Sequence, residues 1–267
     1  MTRWGWAGAG ALAGAVIALG VCAPAAWLAR WVGEATGQRL LLADARGSVW
    51  RGSAVPVLTG GPDSHDASRL PDRLHWTLGF EGAGLALHAR QACCLNGTVV
   101  LRLRPGLGRW RFELVGVPPP ASGRAWVARW PASWLVGLGT PWNTVRPSGL
   151  MEFSSPGLVL EGVQGRLRFT GDAALALDGM ASRLSSLDPL GSYRLSLHGD
   201  AAQGDAATLR LDTLRGPLRL EGSGDWVGSR LRFSGLASAD AGSGPALLGL
   251  LSIIGRREGA ASVFSIG

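Results

Sequence analysis

The sequence has no lysine, three cysteines, one tyrosine, and charged residues at only 17% of its positions. Every basic side chain is therefore an arginine, and the arginines are spread singly, as at Arg102, Arg104, Arg166, Arg168, Arg210, Arg219, Arg230 and Arg232. The net charge of +7 and the pI near 11.0 thus come without the clustered cations that release counterions from a phosphate backbone, which excludes nucleic acid as a partner. The bias toward Arg, Ala and Gly reads as a GC-rich coding sequence. Catalytic signatures are missing too: there is no HExxH, GxSxG, SxxK or CxxC, and no histidine pair stands at ligand spacing. Acidic residues occur singly. The expectation is a noncatalytic protein with no catalytic residue, no cofactor and no metal.

Four histidines are the only neutral-pH bases. His65, with Asp63 and Asp66, lies in a Gly-, Asp- and Ser-rich stretch that reads as a solvated loop, while His75, His88 and His198 fall on the polar side of strand patterns. The phrases Gly82-Ala83-Gly84 and Gly222-Ser223-Gly224 lack the strand-to-helix setting that cradles phosphate and read as hairpin turns.

One apolar run is long enough for a bilayer, which needs roughly 20 residues. It extends from Trp4 to Ala23 without a charge, with Trp4 and Trp6 at one end and Trp27 and Trp31 just beyond the other. Arg3 precedes it, which favours a cytoplasmic amino terminus and export of everything that follows. A cleaved signal peptide competes with the anchor reading, as does lipidation at Cys22. In the segment after Pro24, Trp27, Leu28, Trp31 and Val32 share one helical face closed by Gly37, the pattern of a short amphipathic helix at the membrane surface.

Glycine at 41 of 267 positions and 15 prolines exclude long helices over most of the remainder. From Arg39 the period is two: Leu74, Trp76, Leu78 and Phe80 alternate with polar or small residues, as do Val99, Leu101 and Leu103, then Trp110, Phe112 and Leu114. Similar runs around Leu167, Leu175, Tyr193, Leu209, Leu218 and Leu231 are separated by Gly, Asp and Ser clusters such as Gly60 to Asp66, Gly199 to Gly204, Gly222 to Asp225 and Ala239 to Gly244. Pro245 to Ile254 predicts a short packed helix and Ser262 to Ile266 a last strand. The phrase PASWLVGLG at Pro131 echoes PAAWLARWVG at Pro24, so the chain divides into two related halves or repeats the phrase by compositional chance.

The fold expected is mainly β: a single transmembrane helix, then a mostly antiparallel, curved sheet, in one piece or two. Its parts are a short cytoplasmic end with the anchor at 1–23, a juxtamembrane amphipathic helix at 24–38, a first β region at 39–117, a Pro- and Trp-rich connecting segment with a short helix at 118–147, and a second β region with a short helix and strand at 148–267. Trp126, Trp130, Trp134 and Trp142 crowd the connecting segment, either as rings that hold the sheets together or as partner anchors. Adjacent Cys93 and Cys94 close a vicinal ring, reach another chain, or sit as buried thiols on opposite faces of a strand.

Four phrases together resemble protein N of bacterial type II secretion systems, the general secretion pathway protein N family: Pro24 to Ala54, Pro131 to Gly149, Gly216 to Gly235, and Leu250 to Gly267. The last is the most specific, because Ile254-Gly255-Arg256-Arg257-Glu258-Gly259 before a terminal strand is not forced by composition. The resemblance implies a single-pass inner-membrane protein with a periplasmic β domain, noncatalytic, whose partners are other type II secretion subunits and the inner membrane, with exoproteins or lipid as further candidates. A periplasmic lipid-handling module of the AsmA-like kind is the alternative, in which the apolar side of the strands lines a channel.

Overall fold

The computed structural model describes residues 20, 22–116, 126–200, 206–228 and 230–267. Helix α1 (Ala25–Ala35) leads into strands β1 (Leu40–Gly47), β2 (Arg51–Thr59), β3 (Ala67–Arg69), β4 (Leu74–Glu81), β5 (Gly84–Arg90), β6 (Val99–Gly106) and β7 (Arg109–Val115). Then follow β8 (Ala128–Pro131), a 3-10 helix (Ala132–Leu138), α2 (Trp142–Val145), and two long strands, β9 (Pro147–Val163) and β10 (Arg166–Ser182). The chain closes with β11 (Gly191–Gly199), β12 (Ala206–Arg215), β13 (Leu218–Val227), β14 (Arg230–Ala239), α3 (Gly244–Ile254), β15 (Arg256–Glu258) and β16 (Ala261–Ile266).

All sixteen strands belong to one antiparallel sheet. Its main path runs β1-β2-β4-β5-β6-β7-β9-β10-β11-β12-β13-β14-β16-β15, with β3 beside β2 and β8 beside β9. Strands β7 and β9 pair directly, Phe112 opposite Leu160, so the two expected β regions join edge to edge instead of stacking. The echoed phrases take different forms, an α-helix at Ala25–Ala35 and a 3-10 helix at Ala132–Leu138.

The register puts the alternating apolar residues on one face from β1 to β16. A single cross-strand row shows it: Phe80 opposes Leu85, which opposes Leu103, then Phe112, Leu160 and Phe169 in turn. A bulge in β9 between Gly157 and Ser154 keeps the faces aligned, so that Phe153 and Met151 stay beside Leu175 and Leu177. The other face carries the polar set, with Arg111 2.5 Å from Glu161 and Arg102 2.9 Å from Glu81.

Half of the apolar face is covered. Ala25 and Leu28 of α1 pack on Ala54, Trp76 and Leu42; Val127 and Leu95 pack on Val99, Leu114 and Phe153; Leu247, Leu250 and Leu251 of α3 pack on Tyr193, Leu218 and Ala237. Because only short elements among the described residues lie over it, the described sheet is close to one layer, and alanines supply much of what is fully buried.

Two expectations need correction. Gly222 to Asp225 is neither a separator nor a hairpin turn: it lies inside β13, where Gly224 opposes Phe233 and a Cβ on Gly222 would come within 2.7 Å of that ring. The same device recurs at Gly162 under Trp110 and Gly235 under Phe264, so part of the glycine content makes room for aromatic rings on the sheet. Leu167 and Leu175 lie in the single strand β10. In α1, Trp27, Leu28, Trp31 and Val32 share one side of the helix, of which Leu28 packs on the sheet while Trp27 and Trp31 are 50% and 65% exposed.

No helix among the described residues is long and apolar enough to cross a membrane. Of the Trp4 to Ala23 run, only Gly20, Cys22 and Ala23 are described, and the PPPASG phrase at 118–123 lies outside the described residues.

Candidate functional site

The two ends of the strands differ. At the end where Asp72, Arg73, Arg90 and Asp240 lie, the covering elements close over the apolar face. At the opposite end no described element covers the face, and short hairpin tips project from it: Gly82-Ala83, Leu107-Gly108 and Gln164-Gly165. Gly82, Gly108, Gln164 and Gly165 all have positive φ, which a two-residue hairpin requires. Large apolar side chains stand exposed here: Phe80 at 78%, Leu107 fully, Val227 at 56% and Ile266 at 57%. Aromatic pairs reinforce the rim, with Trp50 and Phe80 centroids 5.4 Å apart and Phe169 edge-on to Trp226 at 5.3 Å.

The chain enters at this same end. The Trp50 indole Nε1–H donates to the Gly20 carbonyl at 2.7 Å, the Val49 N–H donates to the Ala23 carbonyl at 2.8 Å, and Pro24 bridges to Ser48. Gly20, Ala23 and Pro24 are thereby fixed beside the β1–β2 turn.

Arginines at the open end divide into two sets. Arg102 and Arg111 are paired with Glu81 and Glu161 on the polar face. Arg104, Arg109, Arg166 and Arg230 are exposed and form no ion pair with a described residue.

The sheet has two outer edges. Among the described residues no strand pairs with the outer side of β1, whose bulge between Ala43 and Arg46 places Asp44 at φ +49. Asp44 accepts from Arg73 at 2.6 Å and from Arg46 at 2.8 Å, and these guanidinium groups hold its carboxyl below the usual carboxylate range. At the far edge, β15 pairs only with Ala261 to Val263, leaving Phe264 to Ile266 of β16 without a strand on that side.

The seam between the two β regions is fastened by the connecting segment. Trp134 donates from Nε1 to the Ser68 carbonyl at 3.1 Å and lies 6.1 Å from the Trp130 ring. Arg129 sits 4.2 Å over the Trp126 ring. Trp142 is 37% exposed and contributes no such tie. Cys93 and Cys94 are joined to each other as a vicinal disulfide. The chain has left strand β5 by this point, so the alternation that would separate two thiols onto opposite faces does not apply. The Arg129 N–H donates to the Cys94 carbonyl at 2.9 Å and the Asn96 N–H to the Val127 carbonyl at 3.0 Å, which binds this turn to the connecting segment. Cys22 is free and exposed.

The histidines are dispersed. His65 is exposed in its loop, and Asp66 there accepts from the Asn143 amide at 2.9 Å. His75, His88 and His198 lie on the polar face, as the pattern predicts. His198 Nδ1 is 2.7 Å from the Asp172 carboxylate, whose hydrogen bond and charge raise the imidazole pKa. No group of three or more His, Cys, Asp or Glu among the described residues is arranged to hold a metal ion.

Sequence reasoning missed the open end. Its signal was present: Phe80, Trp110 and Val163 stand within two residues of a Gly-containing two-residue turn, and Leu107 lies in one.

The fold defines a single-sheet, antiparallel β protein with exposed aromatic, aliphatic and arginine side chains gathered at one end. The family model of type II secretion system protein N matches residues 38–265. The chain belongs to that family, and with it to the components of a secretion system. Neither the curated proteins nor the solved structures compared with the chain gave a match.

Proposed function

We propose that this chain is a noncatalytic, single-pass inner-membrane component of the type II secretion system, with its β-sheet in the periplasm, supporting export of folded proteins through contacts with other subunits. The anchor is the Trp4 to Ala23 run, and 24–38, 39–117, 118–147 and 148–267 are its juxtamembrane helix, first β region, connecting segment and second β region. The observation that carries the reading is the open sheet. Strand edges with free N–H and C=O groups accept a strand from another chain, and the bulge and charges of β1 restrict which strand can add there. Exposed Trp27 and Trp31 on α1 supply aromatic anchors for the same purpose.

The test is photocrosslinking in vivo from Leu41 on the β1 edge, from Trp31, and from Ser265 on the β16 edge of the full chain. Adducts with other secretion subunits are the expected result. Their absence from all three positions, in cells where known contacts of the machine are captured, refutes the reading.

The half-exposed apolar side chains of the open end favour a second reading, an AsmA-like lipid-handling module in which they hold acyl chains. Native mass spectrometry of the membrane-extracted chain separates the two: a reproducible absence of bound phospholipid ends the lipid reading.

A further inference from the structure

We infer that the open end of the sheet is a bilayer-seating surface: its hairpin tips enter the interface of an anionic phospholipid membrane, with their arginines on the phosphates. The inference rests on the reading of Trp4 to Ala23 as an anchor, and adds a second, independent contact between the protein and the lipid.

Three observations converge. First, the bonds from Trp50 and Val49 to the Gly20 and Ala23 carbonyls place the exit of the apolar segment at the tips and not at the covered end of the sheet. A bilayer that holds residues 4–23 therefore lies against this end. Second, the tips present what an interface accepts, aliphatic side chains at Leu107, Val163 and Val227 and a rim of Trp50, Trp110 and Trp226. Indole rings settle at the headgroup level. Third, the charge is complementary: Arg104, Arg109, Arg166 and Arg230 have no acidic partner among the described residues, whereas Glu81 and Glu161 are already neutralised by Arg102 and Arg111. Basic side chains beside inserted apolar ones are the composition of an interfacial contact with anionic lipid. A protein partner would instead be met by unpaired strand edges, and these lie on the two flanks of the sheet.

The experiment uses the full chain with Cys22→Ser and one new cysteine carrying an environment-sensitive fluorophore, at Leu107→Cys or Val163→Cys, with Leu214→Cys, exposed near the other strand end, as the control. The protein is reconstituted into phosphatidylethanolamine–phosphatidylglycerol vesicles containing headgroup-depth spin-labelled lipid. Quenching at 107 and 163 several-fold above that at 214 is expected, together with a blue shift. Replacing Arg104, Arg109, Arg166 and Arg230 with serine reduces it, and so does exchanging phosphatidylglycerol for phosphatidylcholine. Equal quenching at all three positions overturns the inference. Alkaline carbonate extraction separates it from the anchor reading: a chain that stays with the vesicles while its tips are unquenched sinks the seating surface alone. A chain stripped by carbonate whose tips were quenched beforehand sinks the anchor alone, and a chain that never associates sinks both.

Discussion

Helix α3 closes the covered end of the second β region, and Leu247→Ala measures how much that closure is worth. Leu247 has no exposed surface, and its neighbours are Leu190, Tyr193, Leu218 and Ala237. Losing three carbons at ~0.8 kcal/mol each removes about 2.4 kcal/mol of transfer free energy. The walls of the resulting cavity yield little. Tyr193 is held by its hydroxyl, which donates to the Leu218 carbonyl at 3.0 Å; Ala237 is already small; and both belong to a hydrogen-bonded sheet. A cavity contribution of about 1 kcal/mol brings the expected loss to roughly 3–4 kcal/mol. Leu248, next along the helix, is 43% exposed, and its replacement by alanine costs less than about 1 kcal/mol. Urea titration of the detergent-solubilised chain, followed by circular dichroism, reads both variants. A large midpoint shift for Leu247→Ala at unchanged slope, and a small one for Leu248→Ala, is the prediction. Equal shifts would show that α3 does not pack on the sheet through this face.

The tryptophans of the connecting segment divide in the same way: Trp134→Ala loses the bond to Ser68 and costs about 3 kcal/mol, whereas Trp142→Ala costs less than about 1 kcal/mol, by the same titration. The His198 imidazole titrates above the ordinary value of about 6.5 because Asp172 favours its charged form. That contribution is complete below the unfolded-state value and fades as pH rises through the higher folded one, and Asp172→Asn lowers the NMR titration midpoint. Alkylation of the denatured, unreduced chain labels Cys22 alone, and prior reduction adds Cys93 and Cys94, read as mass increments. Replacing residues 4–23 with a cleavable export signal weakens secretion while the sheet still folds, since tethering raises the local concentration that weak contacts need; full secretion from the released domain contradicts this.

The period-two pattern made the strands legible because a sheet with one apolar face must alternate, and β4, β6, β7 and β11 to β14 lie where the runs around Trp76, Leu101, Phe112 and Tyr193 put them. Glycine was misread at 222–224 because a turn and a cross-strand ring contact demand the same missing Cβ; only the register of β13 against β14 distinguishes them. The Cys93–Cys94 bond depends on the chain leaving β5 at Arg90, a boundary that local sequence does not mark. The open end depends on which side of the sheet each short helix covers, a long-range fact. The family was legible because whole phrases such as Gly216 to Gly235 combine strand alternation with a particular order of charges.

A sheet this close to one layer is stabilised unevenly. Where α1, the connecting segment and α3 cover it, Trp76, Leu114 and Leu218 are buried; at the other end the row Phe80, Leu85, Leu103, Phe112, Leu160 and Phe169 is half-buried or exposed. Each such side chain forgoes part of the ~1.5–3 kcal/mol that full burial returns, so the open end is where an external surface gains most by covering it. Gly20 is held at that end, and the strand edges lie along the flanks. On the proposed reading, membrane contact and subunit contact fall on different borders of the same sheet. Seating the tips on the bilayer would leave the β1 and β16 edges free and hold them upright to the membrane, where a strand from a neighbouring secretion subunit can add without displacing either contact.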